Sequence, residues 1–341
     1  MSDWGKGVNN DIGWGQGANN DIGWGSIYDK SYAGETLLGG GGFEGILNQF
    51  PGASLGLSLR LLDINYTGSA IKVRRSSDNT ELDIGFVNNI LDTASLLTFV
   101  GSGNGFVSLW YGQSGNGFNA FQTLAANQPK IVSNGSLILD NGNPAIEFDG
   151  NSFLSVGSVG DFNFLHNGTE STVISVLKFI YDENTYSKNM PIYASQQNTS
   201  SNTGIFLTND NRFNIGKNNN KSSMIARGVS GGNNRVNYED VGNIFSPNFN
   251  YLLFNEINAS NLTFEDRLLT YLNGNLTTKG NTSSQVPSNG NSSELLTIGS
   301  FGTSSGGRFK GKMQNFIVYA TNQSANRLEM QNIINQRYSI Y

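Results

Sequence analysis

Val173-Ile174-Ser175-Val176-Leu177-Lys178-Phe179-Ile180 decides the fold class. The run is apolar, rich in β-branched and aromatic residues, and too short for a typical helix. It reads as a central strand. Outward from it, apolar runs separated by turns repeat in both directions. Toward the C-terminus, Gly204-Ile205-Phe206-Leu207 and Arg212-Phe213-Asn214-Ile215-Gly216 flank an Asn209-Asp210-Asn211 turn. Tyr251-Leu252-Leu253-Phe254 is a further strand. Leu268 to Leu272 runs into Asn273-Gly274, where both residues tolerate positive φ, the strongest short hairpin signal. Residues 277–294 read as a long surface loop, and Leu295 to Gly299 as a strand. Arg308 to Tyr319 alternates, with Phe309, Gly311 and Met313 on one side and Lys310, Lys312 and Gln314 on the other. Ser324 to Tyr338 reads as a helix capped by Ser324, with Met330, Ile333, Ile334 and Arg337 on one stripe.

Toward the N-terminus, Ala145 to Phe148 and Phe153 to Val156 flank Asp149-Gly150, a hairpin signal. Phe106 to Tyr111 is a strand. Asp92 caps a short helix that Gly101 ends. Ala70-Ile71-Lys72-Val73-Arg74 alternates in period two, as a strand with one wet face does, and Ser54 to Leu62 is the first strand. Closely spaced strands with few long helices point to an all-β sandwich.

Composition agrees. The 341 residues include 43 Gly and 48 Asn, both turn formers, and 21 Phe and 13 Tyr that supply a core. Charged residues are only 14% of the chain. The absence of Cys excludes disulfides and thiolate metal sites, and a single histidine, His166, excludes a multi-His metal centre. A net charge of −5 argues against a nucleic-acid-binding face. No apolar run is long enough for a membrane-spanning helix. The opening residues lack the basic segment and apolar core of a secretory signal.

The first residues are a repeat. Trp4-Gly5-Lys6-Gly7-Val8-Asn9-Asn10-Asp11-Ile12-Gly13 is followed by Trp14-Gly15-Gln16-Gly17-Ala18-Asn19-Asn20-Asp21-Ile22-Gly23, and Trp24-Gly25 opens a third copy. Three of the four Trp lie here. Two and a half Gly-rich decamers cannot bury three indoles by themselves. Trp in a Gly matrix suits a docking peptide: the ring anchors and Gly lets backbones approach. A floppy tail and an arm folded on its own domain are the alternatives. Trp4, Trp14, Trp24, Asp11, Asp21, Ile12 and Ile22 are the candidate anchoring residues. The expected organisation is an arm over 1–38, a Gly-rich hinge over 39–52, and a sandwich over 53–341.

Several segments carry a family resemblance. They are Ser58-Leu59-Arg60-Leu61-Leu62, Tyr66 to Asp78, Asp83-Ile84-Gly85-Phe86, and Trp110-Tyr111-Gly112-Gln113-Ser114-Gly115-Asn116-Gly117. Together they resemble the start of the catalytic sandwich of fungal-type α-L-arabinofuranosidase B, and also the opening of concanavalin-A-like (laminin-G-like) modules. Residues 145–341 resemble those modules more loosely, through the Tyr271-Leu272-Asn273-Gly274 hairpin, the Phe309–Tyr319 strand and the helix ending in Arg337-Tyr338. The resemblance implies a concanavalin-A-like jelly-roll sandwich with an extended N-terminal arm and a short C-terminal helix. Gly112 stands where the family usually has Asp, and neither catalytic carboxylate of the family can be placed on a residue here. The Trp-Gly decamers are similar to N-terminal segments of tailed-phage virion proteins.

No carboxylate sits in a distinctive motif. Asp149 reads as a turn former, Glu147 as the wet face of a strand, Glu265-Asp266-Arg267 as a solvated charge cluster, and His166 as a loop residue without a partner. No cofactor is expected. Calcium would suit Asp/Asn-rich loops, yet no loop shows regular ligand spacing. Gly103-Asn104-Gly105 and Gly115-Asn116-Gly117 lack the strand–turn–helix context of a phosphate cradle. Trp110, Tyr111, Gln113, Asn116 and Asn119 combine aromatic rings with amides, as sugar sites do, although Trp110 in an apolar run equally suits a core. The expected function is a phage virion structural protein on the particle surface, whether fibre, decoration or receptor-binding module. Its arm would dock on other virion proteins and its lectin-like body would meet host glycans, in a homo-oligomer such as a trimer, without nucleic acid or membrane insertion. The alternatives are an arabinofuranosidase-like glycoside hydrolase and a bacterial glycan-binding adhesin.

Overall fold

The computed structural model describes residues 44–167, 170–182, 189–196, 203–210, 221–228, 234–239, 245–278, 290–302 and 307–341. The expected anchoring arm, with its Trp and Asp-Ile positions, lies outside them. So do Arg212–Gly216 and most of the 277–294 loop.

The first half of the chain supplies β1 (Ala53–Ser58), β2 (Ile71–Arg75), β3 (Glu81–Ile84), the ribbon β4 (Phe86–Val87) and β5 (Ile90–Leu91), β6 (Gly105–Trp110), β7 (Ala120–Phe121), β8 (Lys130–Ser133) and the short pieces β9 (Ser136–Leu137), β10 (Leu139–Asp140) and β11 (Asn143–Pro144). Then come β12 (Ile146–Asp149), β13 (Leu154–Val156), β14 (Ser171–Phe179), β15 (Asn189–Ala194), β16 (Gly204–Asp210), β17 (Lys221–Gly228) and β18 (Asn234–Glu239). The last strands are β19 (Asn250–Ile257), β20 (Leu268–Leu272), β21 (Asn275–Leu276), β22 (Leu296–Ile298) and β23 (Lys310–Tyr319). Three α-helices accompany them among the described residues: α1 (Ile46–Gln49), α2 (Thr93–Val100) and α3 (Arg327–Tyr338).

The fold is an all-β antiparallel sandwich. β14 is its central strand, paired along its length with β19 on one edge and β23 on the other. The far edge of β23 is shared by β12, along residues 310–313, and β1, along 315–319. β20 extends the layer beyond β19. The second layer runs from β3 through β2 to β6, then by way of β7 and β13 to β22, β15, β16, β17 and β18. β8 pairs with both β6 and β12, so one continuous ladder folds over on itself.

Period-two alternation explains the layers. Val173, Leu177 and Phe179 of β14 face the main core with Ile71, Val73, Val107 and Trp110 of the second layer. Ile174 and Val176 face the other way, toward Leu252, Phe254, Ile317 and Tyr319. That outer face is roofed by α1 and α3 through Ile46, Leu47, Met330, Ile333, Ile334 and Tyr338. Each such side chain contributes roughly 1.5–3 kcal/mol by leaving water.

Four expectations are corrected. The hinge does not run to residue 52: Ile46 and Leu47 are buried against the outer face, and Tyr319 Oη donates to the Phe50 carbonyl (2.7 Å). Residues 44–52 therefore belong to the body. Asp149-Gly150 does not close a hairpin, because β12 pairs with β23 and β8 while β13 pairs with β22 and β7. The Asp149 carboxylate accepts from the Asn151 and Ser152 N–H groups, and the turn sends the chain to different partners. Asn209-Asp210 continues β16 opposite Ser222 and Lys221 rather than turning. Ser324 opens a 3₁₀ turn over 324–326 and caps nothing with its side chain.

Other readings hold. The Asp92 carboxylate accepts from the Ser95 N–H at the start of α2, and Gly101 ends that helix with φ +65°. Asn273 and Gly274, at φ +50° and +83°, join β20 to β21 in a two-residue hairpin.

Candidate functional site

A polar cleft of about 410 Å³ opens between the loop after β1 and the β4–β5 ribbon. It is lined by Leu61, Tyr66, Thr67, Gly68, Ser69, Gly85, Phe86, Asn88 and Asn89. Asn88 and Asn89 form the two-residue turn of the ribbon, both at positive φ (+50° and +65°), where Asn is among the few tolerated residues. The ribbon is tied to the opposite wall, since Leu61 N–H donates to the Asn89 carbonyl (2.8 Å) and Leu91 N–H to the Leu59 carbonyl (2.9 Å). The Tyr66 ring folds over its own loop, with Oη donating to the Ser69 carbonyl (2.8 Å). Gly68 permits this: a Cβ there would lie 2.5 Å from Tyr66 Oη. Phe86 meets Tyr66 edge to face, with centroids 6.3 Å apart.

Among the described residues, the side chains of Thr67, Ser69, Asn88 and Asn89 make no hydrogen bond. Two hydroxyls and two amides are thus free to meet a ligand beside two aromatic rings. Burial pushes the Tyr66 phenol up, so it stays neutral.

None of the five expected sugar-contacting residues lines the cleft. Trp110 is 0% exposed and packs in the main core, so its ring is no platform. Gln113 is 1% exposed. Its Oε1 accepts from the Leu62 N–H (2.7 Å), and its Nε2 donates to the Ser58 (3.2 Å) and Arg60 (3.0 Å) carbonyls. Asn116 Nδ2 donates to the Ala53 carbonyl (2.8 Å), and Asn119 Oδ1 accepts from the Gly112 N–H (2.9 Å). Segment 112–119 is a strap that spends its amides on β1, on the 58–62 segment that follows it, and on itself. Gly112 is needed there, because a Cβ would stand 2.0 Å from the Phe118 carbonyl oxygen. Tyr111 alone approaches the cleft: its Oη donates to Asp83 (2.7 Å), and burial, the Asp83 bond and Tyr66 all push its phenol up. Gln113 reaches the cleft indirectly, by fixing the wall segment 58–62.

Several carboxyls are committed to structure. The Arg75 guanidinium and the Thr80 N–H hold Asp78 far below the usual range, and the Ser95 hydroxyl and N–H lower Asp92. Burial raises Asp149, but the Asn151 and Ser152 N–H groups outweigh it and keep it low. Glu256, under the start of α3, is pushed up by burial; Arg327, 3.7 Å away, opposes this and Glu170 adds to it. Glu147 lies on the outward side of β12 opposite Lys130, as expected of a wet face. Arg267, by contrast, is buried and donates to the Asn261 carbonyl, so the 265–267 cluster is only partly solvated. His166 is fully buried and its Nε2 meets the Gly290 carbonyl (3.0 Å). Among the described residues no three His, Asp or Glu side chains converge as a metal site.

The cleft's amides were readable as Phe-Val-Asn-Asn-Ile-Leu, a two-residue turn between apolar pairs. That is a hairpin signal, and it says nothing of a cleft.

Solved structures supply the comparison. A GH54 α-L-arabinofuranosidase soaked with 4-nitrophenyl α-L-arabinofuranoside matches over 84% of this chain and 63% of its own, at 13% identity and TM-score 0.50. The body shares the arabinofuranosidase fold. An arabinofuranosidase complexed with arabinofuranosyl-α-1,2-xylobiose matches over the same shares at 15% identity and TM-score 0.49. Trypanosoma rangeli sialidase matches over 68% of this chain and 31% of its own, at 12% identity and TM-score 0.42. This chain thus spans less than two thirds of the length of the arabinofuranosidases it matches. No protein-family model and no curated protein matches the sequence.

Proposed function

We propose that the body is a carbohydrate-binding module whose ligand enters the cleft between the 61–69 loop and the β4–β5 ribbon. We propose further that the Trp-Gly arm carries it on a phage virion, as an oligomeric surface appendage. The observation that supports binding is the set of four uncommitted polar side chains beside Phe86 and Tyr66. Such convergence of fixed polar groups on an aromatic wall is what small-ligand sites require. The sandwich it sits on is shared with a protein soaked with an arabinofuranoside. The test of binding is a glycan array with the full chain: retention of at least one saccharide supports it, and no retention on a broad array removes it. The arm reading rests on the three decamer indoles, which the Gly-rich decamers cannot bury by themselves. Deletion of residues 1–38 tests it: the truncated chain should be lost from particles, and normal occupancy would end the idea.

Glu256 favours a second reading, glycoside hydrolysis. Burial first, and the Glu170 charge after it, push the Glu256 carboxyl up against the pull of Arg327, the direction a general acid needs. Both glutamates lie outside the cleft and Glu256 is buried. Binding is therefore the better-supported function. Release of reducing sugar from a polysaccharide panel, abolished by Glu256→Gln, would reverse that order.

A further inference from the structure

We infer that the cleft selects an uncharged sugar, one or two rings long, and rejects the acidic counterpart of the same ring. The inference rests on the carbohydrate reading and names the ligand class of that site.

The lining carries no ionised side chain. Its uncommitted polar groups are two hydroxyls and two primary amides, each able to donate and accept. Sugar hydroxyls also do both, so the match is reciprocal. A carboxylate only accepts, and to be desolvated it needs a cation or several donors aimed at one point. The nearby cations are turned elsewhere: Lys72 Nζ lies 3.8 Å from Asp83, and Arg60 Nη1 faces Asn143 Oδ1 at 3.4 Å. A carboxylate also flanks the cleft. Asp63 stands in the wall loop, accepting from Asn48 and Asn65, whereas Asp83, bonded to Tyr111, is balanced by Lys72. An anionic ligand would enter toward like charge, which builds specificity by repulsion.

Size follows from the volume. About 410 Å³ is near the lower end of the roughly 300–1,000 Å³ found for small-molecule sites. The crossed rings of Phe86 and Tyr66 form the apolar wall against which the C–H face of a sugar lies. Asn88 and Asn89, on a two-residue turn zipped to Leu61, are fixed before the ligand arrives, so little order is lost on binding.

The experiment is calorimetric titration of the full chain with matched sugars: neutral hexoses, pentoses and their disaccharides against the uronic acid of the same ring. The expected result is binding of at least one neutral sugar and at least tenfold weaker binding of its uronate. Asn88→Gly and Asn89→Gly keep the positive-φ turn and remove the amides; each should weaken the neutral sugar at least tenfold with the thermal transition unchanged. Equal or tighter uronate binding overturns the inference while leaving the carbohydrate reading intact. Full affinity in both Gly variants places the ligand elsewhere and overturns it too. No binding of any sugar, neutral or acidic, in titration and on the array, defeats the carbohydrate reading itself.

Discussion

The strap over 112–119 and the cleft beside it hold the same chemistry and put it to opposite use. Both present amides near aromatic rings. In the strap every named amide is paired: Gln113 makes three bonds to the 58–62 segment, Asn116 two to β1, and Asn119 one to Gly112. In the cleft the side-chain amides of Asn88 and Asn89 pair with nothing among the described residues. An amide whose bonds are spent internally stabilises; one left open at a fixed turn is available for recognition. Residue type does not separate the two cases, and only the accounting of donors and acceptors does.

Substitutions can break that comparison. Gln113→Ala should have the largest effect, a loss of about 3–5 kcal/mol in urea denaturation, because one buried donor and two carbonyls lose their partner. A loss under about 1 kcal/mol would mean that the strap does not hold the wall. Gly112→Asp, which restores the residue usual in the resembling family, should cost about 2–3 kcal/mol through the clash with the Phe118 carbonyl. Unchanged thermal stability in that variant would contradict the packing. Asn116→Ala should cost about 1 kcal/mol in the same denaturation assay. Asn89→Gly should change stability by less than about 0.5 kcal/mol, as a substitution at a solvent-facing turn does.

Acid sharpens the contrast without any substitution. Burial lowers the His166 pKa below 6.5, while its bond to Gly290 opposes the shift. Below pH 6.5 the unfolded chain takes up a proton that the folded chain refuses. The His166 contribution is therefore complete above that pH and is lost as pH falls through the folded pKa. Denaturation midpoints should decline over that window, and less so in His166→Gln. Sugar affinity should stay level between about pH 5 and 7, since no lining group titrates there. Affinity that tracks the decline would show that the cleft is not a preformed element.

The layers were legible in the sequence because they depend on periodicity. The Val173 run became β14, the Ile71/Val73 alternation became β2, and Met330, Ile333 and Ile334 roof the outer face. Local chemistry was legible where it is self-contained, as at Asp92, Gly101 and Asn273-Gly274. Three things were not. Asp149-Gly150 turns as expected, but which strand each arm pairs with is a long-range choice. α1 is a single turn, too short for a periodic signal, and only its burial against Tyr319 and Met330 shows that the body has begun. The cleft depends on the meeting of two segments about twenty residues apart in sequence.

The root of the arm and the rim of the cleft are knotted together. Asn48 Nδ2 donates to Asp63 (2.7 Å), the Ile64 N–H donates back to Asn48 Oδ1 (2.9 Å), and the Leu47 N–H reaches the Leu62 carbonyl (2.9 Å). Arg337 grips the Glu44 carbonyl from the other side. On the proposed function, a pull on residues before Glu44 would enter the domain at the very loop that shapes the recess. Mooring and sugar capture would then be joined through Asn48 and the Leu47–Leu62 bond.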